Sequence, residues 1–144
     1  PSAGCDRTVL ALICEAFDEE TVTNDKGKEE TRTVMRFDPK MAPIKCGVFP
    51  LLKNKPELVA KAKEVKELLL PFMNVFYDEA GAVGRRYRRQ DEVGTPFCVT
   101  IDFETLGEED PELKGTVTVR ERDSMNQERV SIDELSSYLL QRLV

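Results

Sequence analysis

The stretch NVFYDEAGAVGRRYRRQDEVGTPFCVTIDFETL, residues 74–106, decides how this chain folds. It opens on NVFYDE, short and rich in aromatic and β-branched residues, which predicts a strand. It closes on PFCVTIDFETL, where Phe97, Val99, Ile101 and Phe103 alternate with Cys98, Thr100 and Asp102. That period of two predicts a second strand. The arginine-rich segment between them predicts a short helix. Strand, helix and strand in so few residues imply a right-handed crossover and parallel pairing.

The pattern extends in both directions. Upstream, APIKCGVFPLL predicts a strand over residues 43–51, and Pro56 suits the first turn of a helix. In that helix Leu58, Val59, Ala62, Val65, Leu68 and Leu69 form one stripe, and Lys61, Lys63, Glu64 and Lys66 take the opposite face. Pro71 ends it. Downstream, TVTVRERD and ERVSI, joined by a turn at SMNQ, predict antiparallel strands added to the same sheet. SIDE reads as a capping box, with Ser131 and Glu134 satisfying the start of a last helix that carries Leu135, Leu139 and Leu143 on one side. The order β-α-β-α-β, then two strands and a helix, predicts an α/β domain.

Before residue 39 the pattern changes. Asp6 is suited to cap a helix over residues 7–19, whose Val9, Leu10, Leu12, Ile13, Ala16 and Phe17 are apolar over most of the circumference. Such a helix is expected to be buried against something larger. DEETVTNDKGKEETR reads as a polar loop or hairpin tip, and TVMRFDPKMAP as a short strand and connector. A domain boundary is placed there, between residues 1–38 and 39–144.

Composition bounds the function. A chain of 144 residues is one domain, or one domain and a fragment of another. No apolar run reaches the roughly 18 residues of a membrane span, and PSAGCDR has no signal-peptide character. The missing initiator Met suggests a start inside a longer protein. The chain has no histidine, which excludes Ser-His and Cys-His catalysis within it. Cys5, Cys14, Cys46 and Cys98 show no C-x-x-C spacing, so buried reduced thiols of a cytosolic protein are expected rather than a zinc site.

The net charge is −6, yet Arg85, Arg86, Arg88 and Arg89 crowd around Tyr87. At about 100° per residue, Arg85, Arg88 and Arg89 share one helix face with Glu92. Arg86 lies on a flank, and Val83 and Tyr87 point the other way, toward the sheet. Two readings stand: a solvated face in which Glu92 pairs with Arg88 and Arg89, or an anion site. Screening over about 10 Å at 0.1 M salt lets a local cationic face act despite an acidic total. Arg120, Arg122 and Arg129 are expected to pair across strands with Glu121 and Glu128.

PSAGCDRTVLALICEAF, residues 1–17, resembles the third signature motif of class II aminoacyl-tRNA synthetases, in the bacterial, homodimeric glycyl-tRNA synthetase type. APIKCGVFPL, residues 74–106 and GTVTVRERDSMNQERVSIDEL resemble that family's C-terminal anticodon-binding domain. The likeness covers nearly the whole chain, with the motifs in order. It implies a mixed, mostly five-stranded sheet with three helices, preceded by a helix remnant of the catalytic domain. It implies a parent that joins glycine to its tRNA with ATP and magnesium, in the cytoplasm and as a homodimer.

The resemblance also assigns residues. Pro1, Ser2, Ala3 and Gly4 would line the glycine pocket, and Gly4, Cys5, Asp6 and Arg7 would contact ATP. Arg85, Arg86, Arg88 and Arg89 would hold anticodon-loop phosphates, while Asp91 and Glu92 would accept from cytosine amino groups. Tyr87 is expected in the core. The family's first two motifs and its magnesium ligands are absent. The piece alone is therefore expected to be inactive and to hold no cofactor, with its first helix packed on something non-native or on a symmetry mate. A non-catalytic relative, such as the accessory subunit of mitochondrial DNA polymerase, is the alternative; GCDR argues against it.

Overall fold

The computed structural model describes all 144 residues. A helix α1, Cys5–Ala16, leads into an antiparallel hairpin of β1, Phe17–Thr23, and β2, Glu29–Met35. Then follow β3, Cys46–Pro50; α2, Pro56–Leu69; β4, Val75–Tyr77; α3, Val83–Val93; and β5, Phe97–Ile101. A one-turn helix α4, Phe103–Leu106, and a short 3-10 turn precede β6, Thr116–Glu121, β7, Gln127–Ser131, and α5, Ile132–Leu143. The five strands β3 to β7 form one sheet in the order β4-β3-β5-β6-β7. β3 runs parallel to β4 and β5, while β5-β6 and β6-β7 are antiparallel. The mixed five-stranded sheet expected from the sequence is therefore present.

Register explains the two faces of the sheet. Val48 lies beside Val99, Val99 beside Val119, and Val117 beside Val130. These residues form one face. Leu58, Ala62, Val65 and Leu69 of α2 and Leu135, Leu139 and Leu143 of α5 close over it in a single buried core. Removing such surfaces from water contributes about 25 cal/mol per Å² of apolar area. The opposite face carries Phe49, Thr100 and Arg120, and α3 lies there. Because helices cover both sides, every residue of β3 and β5 is buried.

Several sequence expectations are corrected. α1 begins at Cys5 with Gly4 as its cap, and Asp6 sits inside the first turn. It stops at Ala16 because Phe17 already pairs with Met35 in the hairpin. Ala16 is its one buried residue; Val9, Leu10, Ile13 and Phe17 are exposed, so this helix is not enclosed. Of the two readings of the polar segment after it, loop or hairpin tip, the hairpin holds, with β1 and β2 extending well into the segment. Asn24 organises its turn, accepting from the Lys26 and Lys28 amides at 3.0 Å each. β5 ends at Ile101, since Asp102 accepts from the Thr105 amide and starts α4. Ser131 precedes α5 but makes no capping bond from its side chain; the Ile132 amide instead donates to the Gly115 carbonyl at 2.9 Å. Leu68 leaves the α2 stripe for the surface. Cys46 and Cys98 are buried, whereas Cys5 and Cys14 are exposed.

Candidate nucleic-acid interface

α3 positions the arginine cluster, and three features fix the helix. Its sheet-facing side holds Tyr87, whose ring meets Phe49 edge-on at 5.7 Å between centroids. The Tyr87 hydroxyl bonds the Thr100 hydroxyl at 2.5 Å, and the Arg120 guanidinium lies 4.8 Å from the ring. Burial raises the Tyr87 pKa, so the phenol stays protonated. At its C-terminus Gly94 takes a left-handed φ of 88°, where a Cβ would fall 2.4 Å from the Phe37 ring. Only glycine fits that close approach without strain.

The third feature is charged. Asp91 is fully buried. Its Oδ1 accepts from Arg120 Nη1 at 2.9 Å, and its Oδ2 from Arg120 Nη2 at 3.1 Å and Arg32 Nε at 2.9 Å. Arg32, also fully buried, donates onward to Glu20 and to the Arg122 carbonyl. Arg122 reaches the Gly94 carbonyl at 2.9 Å and the Phe37 carbonyl at 2.7 Å. One carboxylate and three arginines thus join the hairpin, α3 and the end of β6. No buried side-chain nitrogen or oxygen lacks a partner, as low-dielectric burial of charge requires.

The four arginines of the cluster separate into distinct roles. Arg86 is buried and clamps the loop before the helix: it donates to the Gly81 carbonyl at 2.8 Å, the Glu79 carbonyl at 3.3 Å and the Pro50 carbonyl. Burial lowers its pKa, with Asp78 acting against that. Arg89 is exposed but bound to Asp78 at 2.5 Å and to the Ala80 carbonyl at 2.7 Å. Arg88 is half-buried, 3.8 Å from both Glu30 and Asp91. Arg85 is exposed and makes no ion pair. Glu92 is exposed and pairs with neither Arg88 nor Arg89, contrary to the solvated-face reading.

Two assigned contacts are thereby corrected: Arg86 and Asp91 lie inside the protein and present no group to a ligand at the surface. Arg85, Arg88, Arg89 and Glu92 remain on the outer side of α3. The strand arginines also differ from expectation. Arg120 pairs with Asp91, Arg122 with Asp123, and Arg129 with Asp102 and Glu104, none with Glu121 or Glu128. They belong to the sheet face covered by α3 and α4, so their partners come from those elements and the adjoining turn.

The sequence reading missed Arg32 and Glu30 of the hairpin. A signal for Arg32 existed in TRTVMR, where Arg32 and Val34 alternate with Thr33 and Met35 and are the buried members. The N-terminal residues Pro1, Ser2, Ala3, Gly4, Cys5, Asp6 and Arg7 are all exposed. Ser2, Gly4, Cys5, Asp6 and Arg7 border one shallow open depression. A Cβ on Gly4 would meet nothing within 4 Å, so nothing in this chain crowds that backbone. No group of three or more His, Cys, Asp and Glu side chains converges on a point able to hold a metal ion. No helix is long and apolar enough to cross a membrane.

Comparison with known proteins agrees with this architecture. A family described as an anticodon binding domain matches residues 45–142. The chain is 54% identical over 143 residues to a glycine–tRNA ligase of Thermobifida fusca, covering 99% of this chain and 29% of that protein. A glycine–tRNA ligase of Streptomyces coelicolor is 53% identical over 144 residues, 100% of this chain and 30% of its own length. One from Rhodopirellula baltica is 50% identical over 143 residues, 99% of this chain and 25% of its own length. The chain thus spans between 25% and 30% of these curated relatives. Nothing among them favours the DNA polymerase accessory alternative.

Proposed function

Because the chain belongs to the anticodon-binding domain family, we propose that it is the tRNA-reading part of a glycine–tRNA ligase, with the outer face of α3 as its RNA contact. The observation that carries this reading is a helix locked from beneath by Asp91, Arg86 and Tyr87 while Arg85, Arg88 and Arg89 face outward. Arginine forks suit phosphate oxygens, and phosphate contacts set register while base contacts set sequence. Glu92, exposed and unpaired, is the acceptor for a cytosine amino group of the glycine anticodon. Arg86 and Asp91 act by holding the helix in place.

The parent ligase would activate glycine with ATP and magnesium, in the cytoplasm and as a homodimer. In it, Gly4, Cys5, Asp6 and Arg7 would meet ATP, and Pro1, Ser2, Ala3 and Gly4 would border the glycine pocket. Arg7 has no partner here, which leaves its guanidinium free for a nucleotide phosphate. This chain alone would not make glycyl-adenylate.

The test is titration of the chain with a glycine-tRNA anticodon stem-loop across several salt concentrations. Three outward arginines, when all are fully engaged, set an upper limit to the slope of roughly −2, at about 0.7 per phosphate in single strands. Replacing the loop cytosines weakens binding by about 1–3 kcal/mol per base read. Arg85→Ala lowers affinity without moving the unfolding midpoint. Arg86→Ala, which strands buried carbonyls, destabilises the fold by about 2–3 kcal/mol. Salt-dependent binding indifferent to the loop sequence would reduce the site to a general polyanion surface.

A further inference from the structure

The three outward arginines are not equally available. Arg85 is free, and Arg89 is held by Asp78, whose side chain is only 11% exposed and which also accepts from the Ala80 amide. Arg88 faces a different kind of partner. Its Nη2 lies 3.8 Å from Glu30 Oε2, and the Glu30 side chain is 48% exposed. The other oxygen of Glu30 accepts from Asn24 Nδ2 at 2.6 Å. Asn24 itself is fixed by the turn it organises. The hairpin bearing both residues is docked on α3 through the buried Arg32–Asp91 bond. One Glu30 oxygen is therefore restrained, and the other is aimed at Arg88 at a distance too long for a hydrogen bond.

We propose that Glu30 is a built-in competitor of RNA phosphate at Arg88, set in place by the hairpin, which lowers the affinity of the α3 face for every polyanion. This rests on α3 being the RNA contact. A carboxylate oxygen and a phosphate oxygen are the same kind of anionic acceptor for a guanidinium N–H. A phosphate reaching Arg88 must displace Glu30 or share the guanidinium with it at a like-charge cost. Asp78 is no such competitor, because it is held by hydrogen bonds and partly buried. Asp91, 3.8 Å from Arg88 Nη1, is buried and already bound to two other arginines. Met125 Sδ, 4.0 Å from the same nitrogen, brings no charge.

The experiment uses Glu30→Gln, which removes the charge and keeps an acceptor for Asn24. The probes are the anticodon stem-loop and an unstructured oligouridine, each titrated at several salt concentrations. Both should bind about two to five times more tightly to Glu30→Gln at low salt, the range of an exposed ion pair. The salt slope should steepen by roughly 0.7, one further effective phosphate contact. In an Arg88→Ala background Glu30→Gln should change nothing, which separates a pairwise contact from a general field. The unfolding midpoint should stay put. Wild-type binding with an unchanged Glu30→Gln variant would overturn the competitor alone. An equal gain in the Arg88→Ala background would overturn it too. No binding by either form would remove both the competitor and the reading on which it rests.

Discussion

Asp91 and Arg32 stand 59 positions apart in the chain and meet at 2.9 Å with both side chains inside the protein. Arg120 shares the same carboxylate. Two buried guanidinium groups thus share one carboxylate, which is the only one Arg120 has while Arg32 also pairs with Glu20, and the hairpin, α3 and β6 are tied at a single point. Removing that charge leaves Arg120 without a carboxylate partner and Arg32 with Glu20 alone, both in a low-dielectric setting. Asp91→Asn should therefore cost about 3–5 kcal/mol, read as a lowered urea midpoint. Arg120→Met in the Asp91→Asn background should recover part of the loss, because it removes the cation left without a carboxylate. If Asp91→Asn costs less than about 1 kcal/mol, water reaches the network and the hairpin is not locked to α3.

The strands and helices that carry the sheet were legible because one physical signal dominated each. Leu58, Ala62, Val65 and Leu69 repeat at the helical period, and Phe97, Val99 and Ile101 at the strand period. Which hairpin residues are buried was illegible for the converse reason. In EETRTVM the exposed and buried sides differ by only two residues, Arg32 and Val34. An arginine marks a surface in any pattern reading, and only its meeting with Asp91 from a distant helix makes burial tolerable. The same blind spot placed Arg86 and Asp91 among surface contacts. Helical spacing states which residues share a face, not how deeply the neighbouring loop covers it. The α1 helix shows the opposite failure: its apolar residues promised a neighbour, and yet Val9, Leu10 and Ile13 stay exposed and only Ala16 is buried.

Acid should loosen the molecule in one narrow window. Asp78, Asp102 and Asp123 are each pushed up by burial, but arginines outweigh it: Arg89, Arg129, and Arg122 with Arg36 hold the respective pKa values below the ordinary 3.8. A folded pKa below the unfolded value contributes stability that is fully present above the unfolded value. It is lost as pH falls through the folded one. With no histidine in the chain, the urea midpoint should be level between about pH 7 and 5 and fall below about pH 4. Asp102→Asn should lower stability at neutral pH and make the acid limb shallower. A midpoint that already declines between pH 7 and 5 would contradict the assignment of the acid limb to these pairs.

The four thiols should divide into two pairs by reactivity. The nucleophile is the thiolate, so both access and pKa set the rate. Cys5 and Cys14 lie exposed on α1. Cys46 and Cys98 lie on the adjacent parallel strands β3 and β5, where Gly47 sits beside Cys98 in register. Burial pushes the Cys98 thiol up to about 12 and raises that of Cys46 well above its ordinary value. Ellman's reagent at pH 8 should therefore titrate two thiols promptly and the other two only as the sheet opens. The slow phase should follow urea concentration in step with unfolding, because strands buried on both faces are exposed only when α3 or the α2–α5 layer leaves. Cys5→Ser with Cys14→Ser should abolish the prompt phase and leave the slow one intact. Prompt labelling of all four would mean that the centre of the sheet opens without global unfolding.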